Sequence, residues 1–187
     1  GGTEIFIYTR DQDNLFALIP SIFDQLRLTI LDARIITGHS GFTLDSFTVL
    51  EDSGALIHGH GRIKEIVETL LHSLGQPDAV LLQSRRHISR IQRAFQMPTW
   101  VSFREDEANG RTVVELVSWD RPGLLCQIGQ AFMECRVQLH NAKISTVGAR
   151  VEDAFFVTDR ENRPLNDPNK YAELRAALVR QLDSPED

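Results

Sequence analysis

Apolar residues recur at helical spacing in two separate parts of the chain. The first set follows the three- and four-residue spacing of one helix face: Leu15, Leu18, Ile19, Ile22, Phe23 and Leu26. The second set repeats it: Leu124, Ile128, Phe132 and Cys135. A short run of strand-like composition precedes each set, at residues 4–9 and 112–119. The pattern therefore predicts, twice, a strand that leads into a helix with one buried face.

The two parts are copies of one sequence. Residues 3–37 align without a gap on residues 112–146, at an offset of 109, and nine of the 35 positions are identical. Beyond the next turn, and with one residue removed, DSFTV (45–49) lies over DAFFV (153–157). Turns tolerate such deletions. The alignment therefore predicts two copies of one domain.

Each copy continues with a hairpin and a second helix. Alternating segments joined by a Gly-bearing turn predict the hairpins at 27–51 and 136–159. Apolar residues at helical spacing predict the second helices: Ile63, Ile66, Val67, Leu70 and Leu74, then Tyr171, Leu174, Leu178 and Leu182. Asp167 and Pro168 are typical of the N-cap and first position of the latter helix. The order β-α-β-β-α is a ferredoxin-like unit that lacks its last strand.

The missing strand has a candidate in the second copy. TWVSF (99–103), a turn and RTVVELV (111–117) predict a hairpin that places a strand beside the copy's first strand. We therefore expect an α+β fold of two ferredoxin-like domains, each an antiparallel sheet covered by two helices. The permuted order ββαββα puts the preceding strand in the fourth-strand position. The first copy would need such a strand ahead of Gly1.

The predicted domains span 1–84 and 99–187, joined by a linker helix at 85–98. Four arginines lie on that helix: Arg85, Arg86, Arg90 and Arg93. They predict either a solvated connecting helix or a surface that docks onto an acidic part of a larger protein.

The composition of the chain limits the classes of partner that it is expected to bind. The 187 residues are 42% hydrophobic, and their net charge of −6 argues against broad nucleic-acid or anionic-membrane binding. No apolar run has the length of a membrane span, and Gly1-Gly2-Thr3 does not begin a signal peptide. We therefore expect a cytoplasmic protein. The start in a strand without a Met suggests a piece of a longer chain.

The segment DRPGLLCQIG (120–129) carries the candidate chemistry. Asp120 can accept from helix N–H groups, Pro122 suits the first helical position, and Gly123 leaves the backbone accessible. These residues predict either a structural cap or a site for a small anionic ligand. No phosphate-loop or catalytic motif is present, and His58 and His60 have no third ligand at metal-site spacing. No catalytic or metal-binding residue is therefore predicted.

The segments WDRPGLLCQIGQAF (119–132) and VQLHNAKIST (137–146) resemble the ACT domain, a ferredoxin-like module that binds amino acids and regulates enzymes. With GGTEIFIYTRDQDNLFA (1–17) and VEDAFFVTD (151–159), they resemble the C-terminal tandem ACT region of the bifunctional uridylyltransferase/uridylyl-removing enzymes. The resemblance implies a glutamine sensor that controls uridylylation and deuridylylation of the P-II nitrogen-signalling protein. It also implies magnesium-dependent catalytic domains upstream, and no cofactor in this segment.

ACT domains that bind amino acids use the loop after the first strand and the start of the second strand of a neighbouring domain. By position, the resemblance implies these second-copy residues: Ser118, Asp120, Arg121, Gly123, Leu124, Gln138, His140 and Asn141. The matching first-copy residues are Thr9, Asp11, Asp13, Asn14, Leu15, Thr29, Leu31 and Asp32. Asn14 and Asp13 replace the glycine and the proline, so the first copy departs from the pattern.

Two functions stay open on these grounds. In the first, the chain is an allosteric sensor in which helix N–H groups bind the carboxylate of an amino acid and Asp120 binds its ammonium. In the second, it is a ligand-free interaction or dimerisation module that pairs through exposed edge strands.

Overall fold

A computed structural model describes residues 1–12, 15–37, 41–77, 97–121, 123–147 and 150–183. We call residues 1–77 the first half and residues 97–183 the second half. The elements of the first half are β1 (Thr3–Arg10), α1 (Leu15–Gln25), β2 (Leu28–Thr37), β3 (Phe42–Glu51) and α2 (His60–Leu74). Those of the second half are β4 (Trp100–Asp106), β5 (Arg111–Trp119), α3 (Leu124–Glu134), β6 (Gln138–Lys143), β7 (Thr146–Val147), β8 (Arg150–Thr158) and α4 (Pro168–Asp183). Of the predicted linker helix, residues 85–96 lie outside the described residues.

The strands of both halves form one antiparallel sheet, in the order β1-β3-β2-β6-β8-β5-β4, with β7 paired to β8. The halves join where β2 meets β6, with Ala33 opposite Ala142. Both alanines are fully buried, which allows the two backbones and the helices above them to approach. The α+β class and the antiparallel sheet are therefore confirmed. The sheet continues across the two halves.

The turn at residues 107–110 joins β4 and β5 in an antiparallel hairpin, with Phe103 opposite Val114. The other side of β5 pairs with β8. In the first half, β1 corresponds to β5 and pairs with β3, and β1 lies at the end of the described sheet.

The helices pack on one face of the sheet, and α1 contacts α3 across the junction of the halves. Phe16 of α1 packs against two rings of the second half, with its ring centroid 6.4 Å from that of Phe132 and 5.9 Å from that of Phe155. At Gly129 the helices are so close that a Cβ would lie 2.9 Å from the backbone nitrogen of Ala17. The two halves therefore share one hydrophobic core.

The ends of the helices follow the local sequence. Asn169 donates its backbone N–H to the Asp167 carboxylate at 2.8 Å, and α4 begins at Pro168 as predicted. Past the ends of α1 and α3, Arg27 and Arg136 both have φ of 56°, so the repeat preserves a left-handed turn into the next strand. No helix in the described ranges is both long and apolar enough to cross a membrane.

Candidate functional site

A cavity of about 810 Å³ lies where the two halves meet, and we call it the central cavity. Four of the predicted ligand residues line it. Asp11 and Leu15 come from the first half, whereas Gln138 and His140 come from the second. The structure thus brings the loop after β1 of one half to the start of the corresponding second strand of the other half.

Sheet pairing explains this arrangement. Because β2 and β6 run antiparallel at the junction, the start of β6 lies near the beginning of α1. The pairing of β6 with β8 shifts register between Leu139 and Asn141, so His140 lies in an irregularity of the strand. A bulge redirects side chains and is common beside binding sites. The corresponding irregularity in β2 falls at Leu31, between Ile30 and Asp32.

A buried carboxyl group lies on the first-half wall of the cavity. Asp45 is 1% exposed, and its carboxylate accepts from the Thr43 hydroxyl at 2.5 Å and from the backbone N–H of Ile36. Burial first, and then the negative charge of Asp11, raise the pKa of Asp45 to about 6 against the lowering effect of the two hydrogen bonds. A cation bound between Asp11 and Asp45 would relieve this repulsion.

The second half contributes most of the basic side chains. Arg111, Arg136 and Arg160 line the cavity. His140 lies 2.7 Å from the Thr158 hydroxyl through Nε2. Burial, and then the charge of Arg111, lower the pKa of His140, which favours a neutral imidazole that can hydrogen-bond at neutral pH. The cavity therefore combines carboxylates with guanidinium groups and neutral polar groups.

Between the charged groups the lining is apolar. It includes Phe16 and Ala17 from α1 and Gly129, Phe132 and Met133 from α3. Small-molecule sites characteristically combine such apolar walls with a few convergent polar groups.

The predicted ligand residues in the loop after β5 do not line the central cavity, and several of them have other contacts. α3 begins at Leu124 with Gly123 as its N-cap, and the Asp120 carboxylate accepts from the backbone N–H of Arg121, ahead of the helix, so the expectation that Asp120 caps this helix is wrong. Instead, the Gly123 N–H donates to the carboxylate of Asp24, at 2.7 Å. Gly123 has φ of 84°, a left-handed conformation that strains other residues, so the turn itself requires this glycine.

The neighbours of this loop have structural contacts. Arg121 donates to the Leu182 carbonyl oxygen at the end of α4 and to Gln127. Ser118 is 1% exposed, and its hydroxyl lies 3.1 Å from that of Thr99. Leu124 is buried in the core. These side chains tie the loop to its own half.

The other predicted residues are also absent from the lining of the central cavity. They are Thr9, Thr29, Leu31, Asp32 and Asn141. Thr29 lies 3.5 Å from the Asp52 carboxylate, and Asp32 forms an exposed ion pair with Arg34. The Asn141 Oδ1 atom is buried without a hydrogen-bond partner in the described structure. Asp13 and Asn14 lie outside the described residues.

Sequence reasoning missed Asp45, Thr43 and the three arginines of the cavity. The repeat did carry a signal for Asp45, because it aligns with Asp153 at a strand position where apolar residues are expected. An acidic residue kept at an inward-facing strand position indicates a buried polar role. The arginines gave no such signal, since isolated surface charges are common.

The described ranges contain no group of three histidine, cysteine or acidic side chains placed to hold a metal ion. His58 and His60 are both exposed at the start of α2.

Comparison with known proteins finds sequence relatives of the chain. No family model matches it. It is 48% identical over 179 residues to the bifunctional uridylyltransferase/uridylyl-removing enzyme of Methylococcus capsulatus, covering 96% of this chain and 20% of that protein. The proteins of the same description from Stutzerimonas stutzeri and Ectopseudomonas mendocina are 44% and 45% identical, over 97% and 99% of this chain and 20% and 21% of their own length.

Among solved structures, one described as a glycine cleavage system transcriptional repressor is 16% identical, covers 93% of this chain and 88% of its own, and has a TM-score of 0.30. A likeness at that score carries no argument about fold or function. The chain spans about one fifth of the length of the curated relatives that it matches. Because the identity extends over nearly all of its residues, the chain is a homologue of a segment that makes up about one fifth of the bifunctional uridylyltransferase/uridylyl-removing enzymes.

Proposed function

We propose that the chain is a pair of ACT domains in permuted ββαββα order that binds one free amino acid, glutamine, in the central cavity. The observation that carries the proposal is the composition of that cavity: two neighbouring carboxyl groups, three arginines and several neutral polar groups, drawn from both halves. A free amino acid presents an ammonium, a carboxylate and a side chain to match them.

The ammonium group belongs beside Asp11 and Asp45. The negative charge of each carboxylate raises the free energy of ionising the other, and a bound cation offsets this repulsion. Asp45 is held in place by Thr43 and by the backbone of β2, so it is ordered before the ligand arrives. Such preorganisation reduces the entropy lost on binding.

The carboxylate belongs beside the arginines of the second half. Arg136 follows directly on α3, and Arg111 begins β5. A guanidinium binds a carboxylate through two parallel hydrogen bonds, which fix its orientation as well as its position. An amino acid bound between Asp45 and Arg136 would connect the two halves.

Selectivity for glutamine rests on the neutral polar groups. Gln12 and Gln138 line the cavity, and each offers an amide that both donates and accepts. The His140–Thr158 pair adds further hydrogen-bonding capacity. A site whose polar groups all hydrogen-bond to a polar ligand side chain discriminates strongly against apolar analogues of the same size, because those analogues leave the polar groups of the site unpaired.

In the longer protein, this module would regulate uridylylation and deuridylylation of the P-II protein by catalytic domains located upstream, in the cytoplasm. A ligand that contacts both halves stabilises the arrangement of the halves in which those contacts form. The difference between its affinities for the two arrangements is the free energy that can regulate the catalytic domains. The magnesium of the reaction would belong to those catalytic domains, because the described residues of this chain offer no matching ligand group.

Calorimetric titration of the chain with L-glutamine tests the proposal, and the repeat supplies a matched control. Asp45→Asn removes the cavity carboxylate and should weaken binding at least about tenfold, equivalent to ~1.4 kcal/mol. Asp153→Asn makes the same change at the corresponding buried position outside the cavity and should leave the affinity unchanged. Absence of binding to the unmodified chain at millimolar glutamine, or equal effects of both variants, would refute the proposal.

The ligand-free interaction module is a second candidate, and the edge strand β1 supports it. On the sheet face opposite the helices, Phe6 is 63% and Tyr8 is 69% exposed. A second copy of the chain could pair along β1 to form a homodimer. Light scattering over a range of concentrations distinguishes the two, because this candidate predicts a dimer whose mass does not change with glutamine.

A further inference from the structure

The repeat generates a second location with the geometry of the central cavity, and we call it the pseudo-equivalent site. Its loop lies between β5 and α3, so Asp120 and Leu124 replace Asp11 and Leu15. Its facing wall comes from the end of α1 and the loop after β3. The hydrogen bond from Gly123 to Asp24 shows that these elements meet as the repeat requires.

Asp24 occupies the anion position of this location. Its carboxylate accepts from the Gly123 N–H, which points out of the N-terminus of α3. Helix N-termini favour a negative charge through their unpaired N–H groups and dipole. The corresponding residue at the central cavity is Met133, which supplies no charge.

The two locations keep the same charge at some corresponding positions, with Asp153 in the place of Asp45 and Arg27 in the place of Arg136, and differ at others. Arg160 of the central cavity corresponds to Asp52, and Arg111 corresponds to Gly2. Asp24 and Asp52 therefore lie close to Asp120 where the central cavity has Met133 and Arg160 close to Asp11. Loss of hydration first, and then the charges of Asp52 and Asp120, raise the pKa of Asp24 to about 7, although the Gly123 hydrogen bond lowers it. A second carboxylate would be repelled from such a cluster.

We infer that Asp24 takes the place of a ligand carboxylate at the pseudo-equivalent site, so that this site stays closed and the chain binds a single amino acid. The inference rests on the proposed function, because it assigns the stoichiometry of that binding. Asp24 is a residue of α1, and its carboxylate holds two elements of different halves together. The pseudo-equivalent site is thus filled by a side chain of the protein itself, whereas the central cavity stays open to an amino acid.

The test replaces two residues of the pseudo-equivalent site by their counterparts in the central cavity. Calorimetry with L-glutamine at pH 8, where Asp24 is ionised, should give one site in the unmodified chain. Asp24→Met with Asp52→Arg installs the residues of the central cavity and should add a second binding event while the first keeps its affinity within twofold. Gln25→Met with Ser53→Arg makes the same replacements at the adjacent exposed positions and should keep one site.

Each result separates the hypotheses. Two sites in the unmodified chain, or one site of normal affinity in the Asp24/Asp52 variant, would overturn the inference and leave the proposed function standing. No binding to the unmodified chain would remove both.

Amide NMR of the unmodified chain tests the inference without a variant. Saturating glutamine should shift the amide resonance of Asp11 and leave that of Gly123 unchanged, and a comparable shift at Gly123 would refute a closed site.

Discussion

A methyl group added at Gly129 would press on the backbone of the facing helix. The Cβ of alanine would lie 2.9 Å from the backbone nitrogen of Ala17 and 3.0 Å from its Cα and Cβ atoms. Backbone atoms of a helix cannot turn aside as the end of a flexible side chain can. The α1–α3 contact must therefore open by several tenths of an ångström, or the strain stays in the fold.

Two effects of Gly129→Ala oppose each other. Alanine is favoured over glycine inside a helix by about 0.5–1 kcal/mol. Overpacking a closely fitted contact costs about 1–3 kcal/mol. Gly61→Ala in α2 isolates the first effect, because its Cβ would meet nothing within 4 Å. We therefore expect Gly61→Ala to stabilise the chain and Gly129→Ala to be less stable than Gly61→Ala by about 1–3 kcal/mol.

Urea unfolding of the two variants and the unmodified chain, followed by circular dichroism, measures this difference by linear extrapolation. Because Gly129 also lines the central cavity, the same variant should bind glutamine more weakly. Equal stabilisation by both substitutions would show that the helices are not in close contact at this point, and the reasoning would be wrong.

Three further outcomes are expected. Burial raises the pKa of Asp153 to about 7 from 3.8, so the folded state holds this proton more tightly and the carboxyl group destabilises the fold progressively from pH 4 to pH 7. Asp153→Asn should accordingly stabilise the chain at pH 8, on the order of 1–3 kcal/mol, and have little effect at pH 4; thermal unfolding at both pH values checks this, and a gain confined to pH 4 would contradict it. Since the pKa of Asp45 is about 6, glutamine affinity should rise between pH 5 and pH 7 and then level off, whereas a flat calorimetric profile would exclude Asp45 as the ammonium partner. Arg121→Met removes the hydrogen bond to the Leu182 carbonyl and should lower the free energy of unfolding in urea by about 1.5–3 kcal/mol. The control Arg34→Met, at a 71% exposed side chain, should change that free energy by less than about 0.5 kcal/mol. Equal losses in the two variants would contradict a structural role for Arg121.

Gly123, in the loop after β5, has a structural explanation that the sequence did not supply. The sequence marked Gly123 because its counterpart in the repeat is Asn14, and a close ligand was one explanation. The structure supplies another, since φ of 84° favours glycine whether or not a ligand binds. Backbone dihedrals of this kind depend on how the loop meets the rest of the fold.

The strands, the helices, their order and the repeat were determined by the sequence alone, because hydrophobic periodicity, turn residues and helix caps act within a few positions of the chain. Only the tertiary structure decided that β2 pairs with β6 and thereby brings Asp11 to His140. It also brought the Asp24 carboxylate within hydrogen-bond distance of the Gly123 N–H and placed Asp45 in the lining of the cavity. These juxtapositions join residues far apart in sequence through shared packing and strand pairing, and no local pattern contains that information.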